Sequence, residues 1–221
     1  VLGPTASGKT SFAVNLAYDL ETEIISGDSR QVYQSMDIGT GKDLSEYELN
    51  QVKIPYHLID ILPAGEQYHL FAYKQDFLTA YNNIRERNKL PILCGGTGLY
   101  IEAVLNDYRL QEVPPNSSLR EKLKNKTQEE LKEILTSYGP LHNKSDLDTA
   151  KRTIRAIEIA DCQRKNTVES SSHAINFTYQ IIGMQLSREE RRERISKRLQ
   201  ERLQNGMIEE VESLLAKGIS A

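Results

Sequence analysis

Short apolar runs alternate with helical patterns over the first hundred residues. Three runs have the length of strands, and they cover Glu23–Gly27, Tyr56–Ile61 and Pro91–Cys94. Between the last two, apolar residues recur at spacings of three and four, as on one face of an amphipathic helix: Leu70, Tyr73, Phe77, Tyr81 and Ile84. This alternation predicts βαβ units, and hence an α/β fold with a parallel sheet flanked by helices.

Two consecutive prolines, Pro114 and Pro115, interrupt this pattern. The sequence beyond them is helical and charged, with a capping box at Thr127–Glu130 and a further helix over Asp148–Ala160. Strand character returns only at Tyr179–Met184, and a second capping box then opens a long helix at Ser187 that reaches about Asn205. We predict one core domain interrupted by a helical insertion, with the core at 1–112 and 178–221 and the insertion at 113–177.

Composition narrows the class of protein without deciding it. No run of about 18 apolar residues could cross a membrane, and only two cysteines occur, so we expect a cytoplasmic monomer with reduced thiols. The net charge of −3 speaks against a nucleic-acid binder, but the acidic excess lies in residues 1–100 and the basic residues cluster beyond them. A local basic patch can still bind phosphate, so composition leaves RNA open.

The strongest motif fits the P-loop pattern G-x-x-x-x-G-K-[ST] at every position, with residues Gly3, Pro4, Thr5, Ala6, Ser7, Gly8, Lys9 and Thr10. In such a loop, backbone N–H groups turn inward around phosphate oxygens at the N-terminus of the following helix. Lys9 adds a positive charge, and Thr10 adds a hydroxyl ligand for Mg²⁺. Val1 and Leu2 run directly into the motif, so we expect that the first strand begins upstream. The motif predicts phosphate binding and does not say whether the phosphate belongs to a nucleotide.

Two further segments directly follow predicted strands. Asp28–Tyr33 (DSRQVY) follows the second strand, and Gly95–Tyr100 (GGTGLY) follows the strand that ends at Cys94. In an open parallel sheet the C-terminal strand ends face the ligand crevice, so both segments are expected beside the P-loop. There the Asp28 carboxylate can hold Mg²⁺ or accept a proton, and Thr97 can donate to an oxyanion. Taken alone, each segment could also be an ordinary turn.

Basic residues recur at helical spacing in three stretches. Lys151, Arg152 and Arg155 share a helix face, and Arg120 opens a basic run that ends at Lys126. Glutamates interleave with the arginines of the long helix, so pairing on a solvated face is the alternative to ligand binding for each of them. The arginines of that helix recur at spacings of three and four, at Arg191, Arg194, Arg198 and Arg202.

Five blocks in one order resemble the tRNA dimethylallyltransferases, also called tRNA isopentenyltransferases. The P-loop block GPTASGKT is followed by Asp28–Tyr33, Met36–Thr40 (MDIGT), Gly95–Tyr100 and Arg152–Ile159 (RTIRAIEI). The match extends from Gly3 to about Gly218 and covers nearly the whole chain. The resemblance implies a P-loop NTPase-like parallel sheet flanked by helices, with a helical insertion domain.

Members of this family transfer a dimethylallyl group from dimethylallyl diphosphate to the exocyclic amine of the adenine 3′ of the tRNA anticodon. The resemblance implies that the P-loop cradles the isoprenoid diphosphate, with Mg²⁺ as cofactor and Thr10 as its ligand. It also implies that Asp28 is the general base for the adenine amine. The residues that match groups around the diphosphate are Lys9, Thr10, Thr97 and Arg198.

The same resemblance implies that the helical insertion clasps the anticodon stem-loop. The chain departs from the family where Gly41–Asp43 replaces the usual AKP after MDIGT, and the approach to Arg152 is longer than usual. Past Ala221 the family has more helical chain, so the chain is expected to be truncated. The positions that match tRNA contacts are Asp28, Ser29, Arg30, Gln31, Thr97, Arg120, Lys151, Arg152 and Arg155.

Three other functions fit part of the sequence. A small-molecule or nucleotide kinase shares the P-loop and the parallel sheet, with Arg198 or Arg120 as a lid arginine, but it gives DSRQVY and GGTGLY no role. A non-enzymatic RNA-binding module leaves Lys9 and Asp28 without a role. An adenine-nucleotide isopentenyltransferase would act on free nucleotides, which the large basic insertion disfavours.

Overall fold

A computed structural model describes residues 1–108, 110, 112–141, 144–165 and 177–219. The chain forms two compact units, which are Val1–Tyr108 with Ala174–Ala221 (unit 1) and Arg109–His173 (unit 2). The last part of the predicted insertion, 166–176, lies outside the described residues. Within those residues, no helix has both the length and the apolar character needed to cross a membrane.

Unit 1 contains both strands and helices, whereas the described elements of unit 2 are helical. The strands are β1 (Ile24–Gly27), β2 (Glu48–Leu49), β3 (Val52–Lys53), β4 (Tyr56–His57) and β5 (Ile92–Gly95). Two short 3₁₀ helices cover Leu44–Tyr47 and Lys144–Leu147. The α-helices are α1 (Lys9–Asp19), α2 (Leu70–Glu86), α3 (Gly98–Leu105), α4 (Ser117–Leu123), α5 (Gln128–Ser137), α6 (Ala150–Lys165), α7 (Arg188–Gln204) and α8 (Met207–Ala216).

The central sheet of unit 1 is parallel. Its strands lie in the order β4–β1–β5, and Ile24 pairs with Tyr56 on one side and with Ile92 on the other. Leu2 continues the sheet beyond β5, since it forms parallel bridges to Gly95 and to Gly183. The P-loop therefore leaves the sheet between β5 and the segment at Gly183.

Helices cover both faces of this sheet, as the alternation of strands and helices predicts. Ile24 packs with Val14 of α1 in one buried cluster, whereas its neighbour Ile25 packs with Tyr73 of α2 and Val104 of α3 in another. Successive strand residues point to opposite faces, so each face receives its own apolar layer. The predicted fold class, a parallel sheet flanked by helices, is confirmed.

Two predicted strands are wrong in their extent, since the run at Tyr179–Met184 forms only a bridge at Gly183. Strand β4 ends at His57, although the apolar run continues to Ile61, because Leu58 and Asp60 have φ values of 63° and 55°. The chain turns there toward the segment that follows β1, where the Asp60 N–H donates to the Gln31 carbonyl at 3.0 Å. The residues after His57 therefore do not extend the sheet, and their backbone is hydrogen-bonded to the segment that follows β1 instead.

Unit 2 is a small helical unit built from α4, α5 and α6. Leu123, Leu131, Leu135 and Ile157 form its buried core. The capping box predicted from sequence is present, with the Thr127 side chain accepting from the Glu130 N–H and the Glu130 side chain accepting from the Thr127 N–H. These caps and the apolar core fix the start and the buried face of α5.

A buried carboxylate, Glu158 of α6, ties the start of α4 to the rest of unit 2. It accepts two hydrogen bonds from the Arg120 guanidinium, at 2.7 and 2.9 Å, and one from the Asn116 N–H at 2.8 Å. Arg155 donates to it at 3.2 Å. Burial alone would raise the pKa of Glu158, but these donors outweigh burial and hold the pKa at about 2.

Glu158→Gln should lower the free energy of unfolding at pH 7 by about 1–3 kcal/mol, because Arg120 and Arg155 lose a charged acceptor. A depressed pKa contributes stability above the ordinary pKa of a glutamate, and that contribution is lost as the pH falls toward about 2. The difference from the wild type should therefore shrink between pH 5 and pH 2. Urea unfolding followed by circular dichroism measures it.

Glu133→Gln is the matched control, since Glu133 is an exposed glutamate on α5 of the same unit. It should leave the free energy of unfolding unchanged. A Glu158→Gln effect of the same size at every pH would contradict the assignment.

Candidate active site

The P-loop holds two residues in left-handed conformations, Ala6 at φ 62° and Gly8 at φ 82°. Such residues turn successive N–H groups toward one side, which is the geometry of an anion-binding loop. Gly8 is also the N-cap of α1, and no side chain caps this helix end. The Ser7 hydroxyl is buried and has no hydrogen-bond partner among the described residues. An anion in the loop would supply the acceptor that these donors lack.

Lys9 lies folded over the P-loop. Its amino group donates to the Pro4 carbonyl at 2.6 Å. Burial lowers the pKa of Lys9, Cys94 and Asp28 raise it, and the guanidinium of Arg198 lowers it further. Among the described residues no carboxylate lies in hydrogen-bond range of this half-buried cation, which makes it a favourable site for a phosphate oxygen.

Two glycines bring the ends of β1 and β5 together. A Cβ added to Gly95 would lie 2.6 Å from the Gly27 Cα, so no side chain fits there. The next glycine, Gly96, faces the P-loop, and a Cβ on it would lie 3.8 Å from the Lys9 amino nitrogen. The segment after β5 therefore lies directly against Lys9.

Thr97 joins the segments that follow these strands. Its hydroxyl accepts from the Ser29 N–H at 3.1 Å, and its own N–H donates to the Gly27 carbonyl at 3.2 Å. Asp28 lies between Gly27 and Ser29 in the chain. Its carboxylate accepts a hydrogen bond from the Arg30 N–H at 2.9 Å, which forms an Asx-type turn. The turn expected as the alternative for this segment is thus present, and it fixes the Asp28 carboxylate at the strand end, near Lys9.

A cavity of about 550 Å³ opens beside the P-loop and is lined by α7. Arg198, the α7 residue matched to the diphosphate site, pairs here with the Asp43 carboxylate. Five of the lining side chains are basic and three are acidic, so the cavity favours an anion. Asp28 and Thr97 do not line it. The lining residues are Ala6, Ser7, Gly8, Lys9, Thr10, Asp43, Ser45, Glu46, Arg194, Lys197, Arg198, Glu201, Arg202 and Asn205.

Four basic residues that the resemblance matches to tRNA contacts lie in unit 2. Arg120 and Arg155 are held by the buried Glu158. Arg152 pairs with Asp148 at 2.8 Å on the exposed surface of α6, and Lys151 beside it is exposed. Ion pairing, the alternative weighed for such arginines, is therefore present for three of these four residues.

The contacts of two residues beside the site carry no signal in the sequence. Lys42 has a fully buried side chain that contacts Asp37 at 2.9 Å and also contacts Asp60. Glu210 of α8 accepts hydrogen bonds from the backbone of the MDIGT block. Lys42 keeps the lysine of the AKP motif, but the motif says nothing of its burial, and Glu210 is one glutamate of several on a helix, so only the structure reveals these contacts.

Models of two known protein families match this chain. A family model described as IPP transferase matches residues 31–221, and a second, described as isopentenyl transferase, matches residues 1–60. The chain belongs to the IPP transferase family.

Individual members of the family agree with this assignment. The chain is 58% identical over 221 residues to tRNA dimethylallyltransferase 2 of Porphyromonas gingivalis, covering all of this chain and 73% of that protein. It is 57% identical to tRNA dimethylallyltransferase 1 of Parabacteroides distasonis, covering 99% of this chain and 71% of that protein.

Solved structures of the IPP transferase family have the same fold. A tRNA isopentenylpyrophosphate transferase from Bacillus halodurans is 32% identical with a TM-score of 0.65, and the match covers 99% of this chain and 69% of that one. A eukaryotic dimethylallyltransferase acting on tRNA has a TM-score of 0.77 at 22% identity, over 98% of this chain and 55% of that one, which supports the fold alone.

Lys9→Ala should weaken the binding of inorganic diphosphate by roughly tenfold to a hundredfold, the effect of losing one charged hydrogen bond. Isothermal titration calorimetry measures the affinity. Lys53→Ala, which removes an exposed lysine on β3, is the control and should bind as the wild type does. Equal affinities in the two variants would contradict the role of the P-loop lysine.

Proposed function

We propose that this protein transfers a dimethylallyl group from dimethylallyl diphosphate to the exocyclic amine of the adenine 3′ of the anticodon in tRNA, in the cytoplasm. Relatives that are 57–58% identical over the chain carry the name tRNA dimethylallyltransferase. The observation that carries the proposal is the 3.1 Å hydrogen bond between Ser29 N–H and Thr97. It joins the carboxylate segment and the GGTGLY segment beside Lys9, so a proton acceptor and a hydroxyl donor lie together next to the P-loop.

The anion-binding groups stabilise the leaving diphosphate. Departure of diphosphate leaves a cation-like allylic carbon and develops negative charge on the bridging oxygen. Preorganised N–H groups of the P-loop, with Lys9 and Arg198, meet that charge without rearranging at the moment of reaction. The Thr97 hydroxyl, which donates to the Ser29 hydroxyl at 3.4 Å, would turn from that acceptor to donate to the same charge.

A magnesium ion fits the residues at this position. Thr10 lines the cavity next to Lys9, and no group of three or more His, Cys, Asp or Glu among the described residues could hold a metal. Mg²⁺ usually binds through one or two carboxylates and completes its shell with waters and substrate phosphates, so the Thr10 hydroxyl would be one ligand beside water and diphosphate oxygens. When bound, the ion neutralises charge on the diphosphate.

Asp28 serves the acceptor side of the reaction. The exocyclic amine of adenine is a weak nucleophile, and a carboxylate that takes its proton as the C–N bond forms lowers the barrier. The Asx-type turn leaves the second oxygen of Asp28 available, because the Arg30 N–H engages only Oδ1. The proton thus moves from the amine nitrogen to the Asp28 carboxylate, and the prenyl carbon takes its place.

Residues on both units bind the tRNA in this proposal. Asp28–Gln31 contacts the anticodon loop near the reacting base. Lys151 and Arg152 are exposed on α6, and an exposed pair such as Arg152–Asp148 is worth little, so exchanging Asp148 for a phosphate costs little. Arg120 and Arg155 contribute less charge, because Glu158 already neutralises part of it.

The proposal is tested by incubating the protein with labelled dimethylallyl diphosphate and either tRNA or AMP. We expect label on tRNA only, and no label with Lys9→Ala. Label on AMP would instead indicate an adenine-nucleotide prenyltransferase. Retained tRNA binding without any transfer would indicate an RNA-binding protein, and protection from thermal unfolding by ATP but not by dimethylallyl diphosphate would indicate a kinase.

Asp28→Asn should reduce the single-turnover rate by roughly 10²–10⁴-fold, the usual effect of losing a general base. Donor affinity should barely change, because the P-loop, Lys9 and Thr10 are intact. Rate and affinity measured at two Mg²⁺ concentrations separate this role from metal binding. Asp19→Asn, an exposed aspartate at the end of α1, is the control. A variant whose rate and affinity both recover at high Mg²⁺ would overturn the base assignment.

A further inference from the structure

The MDIGT block forms a loop that α8 holds by one carboxylate. Glu210 accepts hydrogen bonds from three consecutive backbone N–H groups, those of Asp37 at 2.8 Å, Ile38 at 2.7 Å and Gly39 at 2.9 Å. Both oxygens take part, and all three bonds are to a charged acceptor, which makes them stronger than neutral ones. The partners lie more than 170 positions apart in the chain, so the contact joins separate parts of unit 1.

The loop, defined as residues 36–43, is closed on its other side as well. The N–H groups of Gly41 and Lys42 both donate to the Asp37 carbonyl, at 2.9 and 3.0 Å. The buried Lys42 side chain then ties the loop to Asp60 and to the Tyr33 carbonyl. Residues 36–43 are thus held at two points, by the buried Lys42 and by Glu210, and they can move only if the hydrogen bonds at one of these points break.

The same loop contacts both sides of the candidate active site. The Gln31 side chain donates to the Gly41 carbonyl at 3.2 Å, which links the loop to the Asp28 segment. Gly41 has φ 72° and lies under two guanidinium groups, since a Cβ there would overlap Arg202 and lie 3.1 Å from Arg198. Asp43, at the end of the loop, pairs with Arg198.

We infer that Glu210 is a positioning residue for the anion-binding guanidinium groups. It does not line the cavity, and it acts by fixing the loop against which Arg198 and Arg202 rest. Its three hydrogen bonds reach the loop that carries Gly41, the residue that lies under both guanidinium groups. Its charge also acts on Arg202 directly, since burial lowers the pKa of that guanidinium while Asp43 and Glu210 raise it. The assignment of these guanidinium groups to diphosphate rests on the proposed function.

Glu210→Gln keeps the shape of the side chain, but its amide nitrogen then faces backbone N–H groups and cannot accept from them. The affinity for inorganic diphosphate should fall on the order of tenfold, in the range of effects seen for residues that act through a network. Glu210→Asp keeps both oxygens and should bind diphosphate more tightly than Glu210→Gln. Calorimetric titration measures all three proteins. Glu209→Gln, an exposed neighbour on α8, carries the same charge change and should bind as the wild type does.

A double-mutant cycle separates positioning from general stabilisation. If Glu210 acts through these guanidinium groups, Glu210→Gln should have little further effect on diphosphate affinity in an Arg198→Ala/Arg202→Ala background. Unchanged affinity in Glu210→Gln, or a full additional loss in that double-alanine background, would overturn the inference. Prenyl transfer is assayed separately in the wild type, so failure of the proposed function would show there while the binding result for Glu210 stands.

Discussion

The close approach of β1 and β5 determines where the carboxylate segment and the GGTGLY segment of the candidate active site meet. Gly95 rests against the Gly27 backbone with no space for a Cβ, so the two strand ends emerge side by side. Because they do, the Ser29 N–H reaches the Thr97 hydroxyl, and a Cβ added to Gly96 would lie within contact distance of the Lys9 amino group. A side chain at Gly95 would separate the carboxylate segment from the phosphate-binding loop.

Charged side chains buried elsewhere in the protein have oppositely charged or polar partners, whereas basic side chains are in excess around the cavity beside the P-loop. Glu23 is buried with His57 and Arg87 around it, and Lys42 and Glu158 are likewise matched by oppositely charged or polar partners. Burying a charge is tolerated only with such partners. The cavity beside the P-loop has an excess of basic side chains instead, and this difference marks it as the place where an external anion completes the set.

Features encoded locally could be predicted from the sequence, and features that depend on distant partners could not. The P-loop pattern, the apolar face of α2 and the capping boxes each lie within a few residues, and each is present in the structure. The predicted extent of β4 is wrong because Leu58 and Asp60 adopt left-handed conformations. The hydrogen bond from Asp60 to the distant Gln31 occurs at this turn. The loop contact of Glu210 spans most of the chain and leaves no local pattern.

The ion pair between Asp43 and Arg198 affects how tightly an anion can bind in the cavity. Arg198 already has an anionic partner, so an incoming anion replaces a resident counter-ion and does not meet a bare charge. The gain is the difference between two attractions, which moderates affinity for any single phosphate compound. Asp43 can pair with the guanidinium again when an anion leaves. In the proposed reaction this exchange would ease release of the diphosphate product, since its departure leaves no bare charge behind.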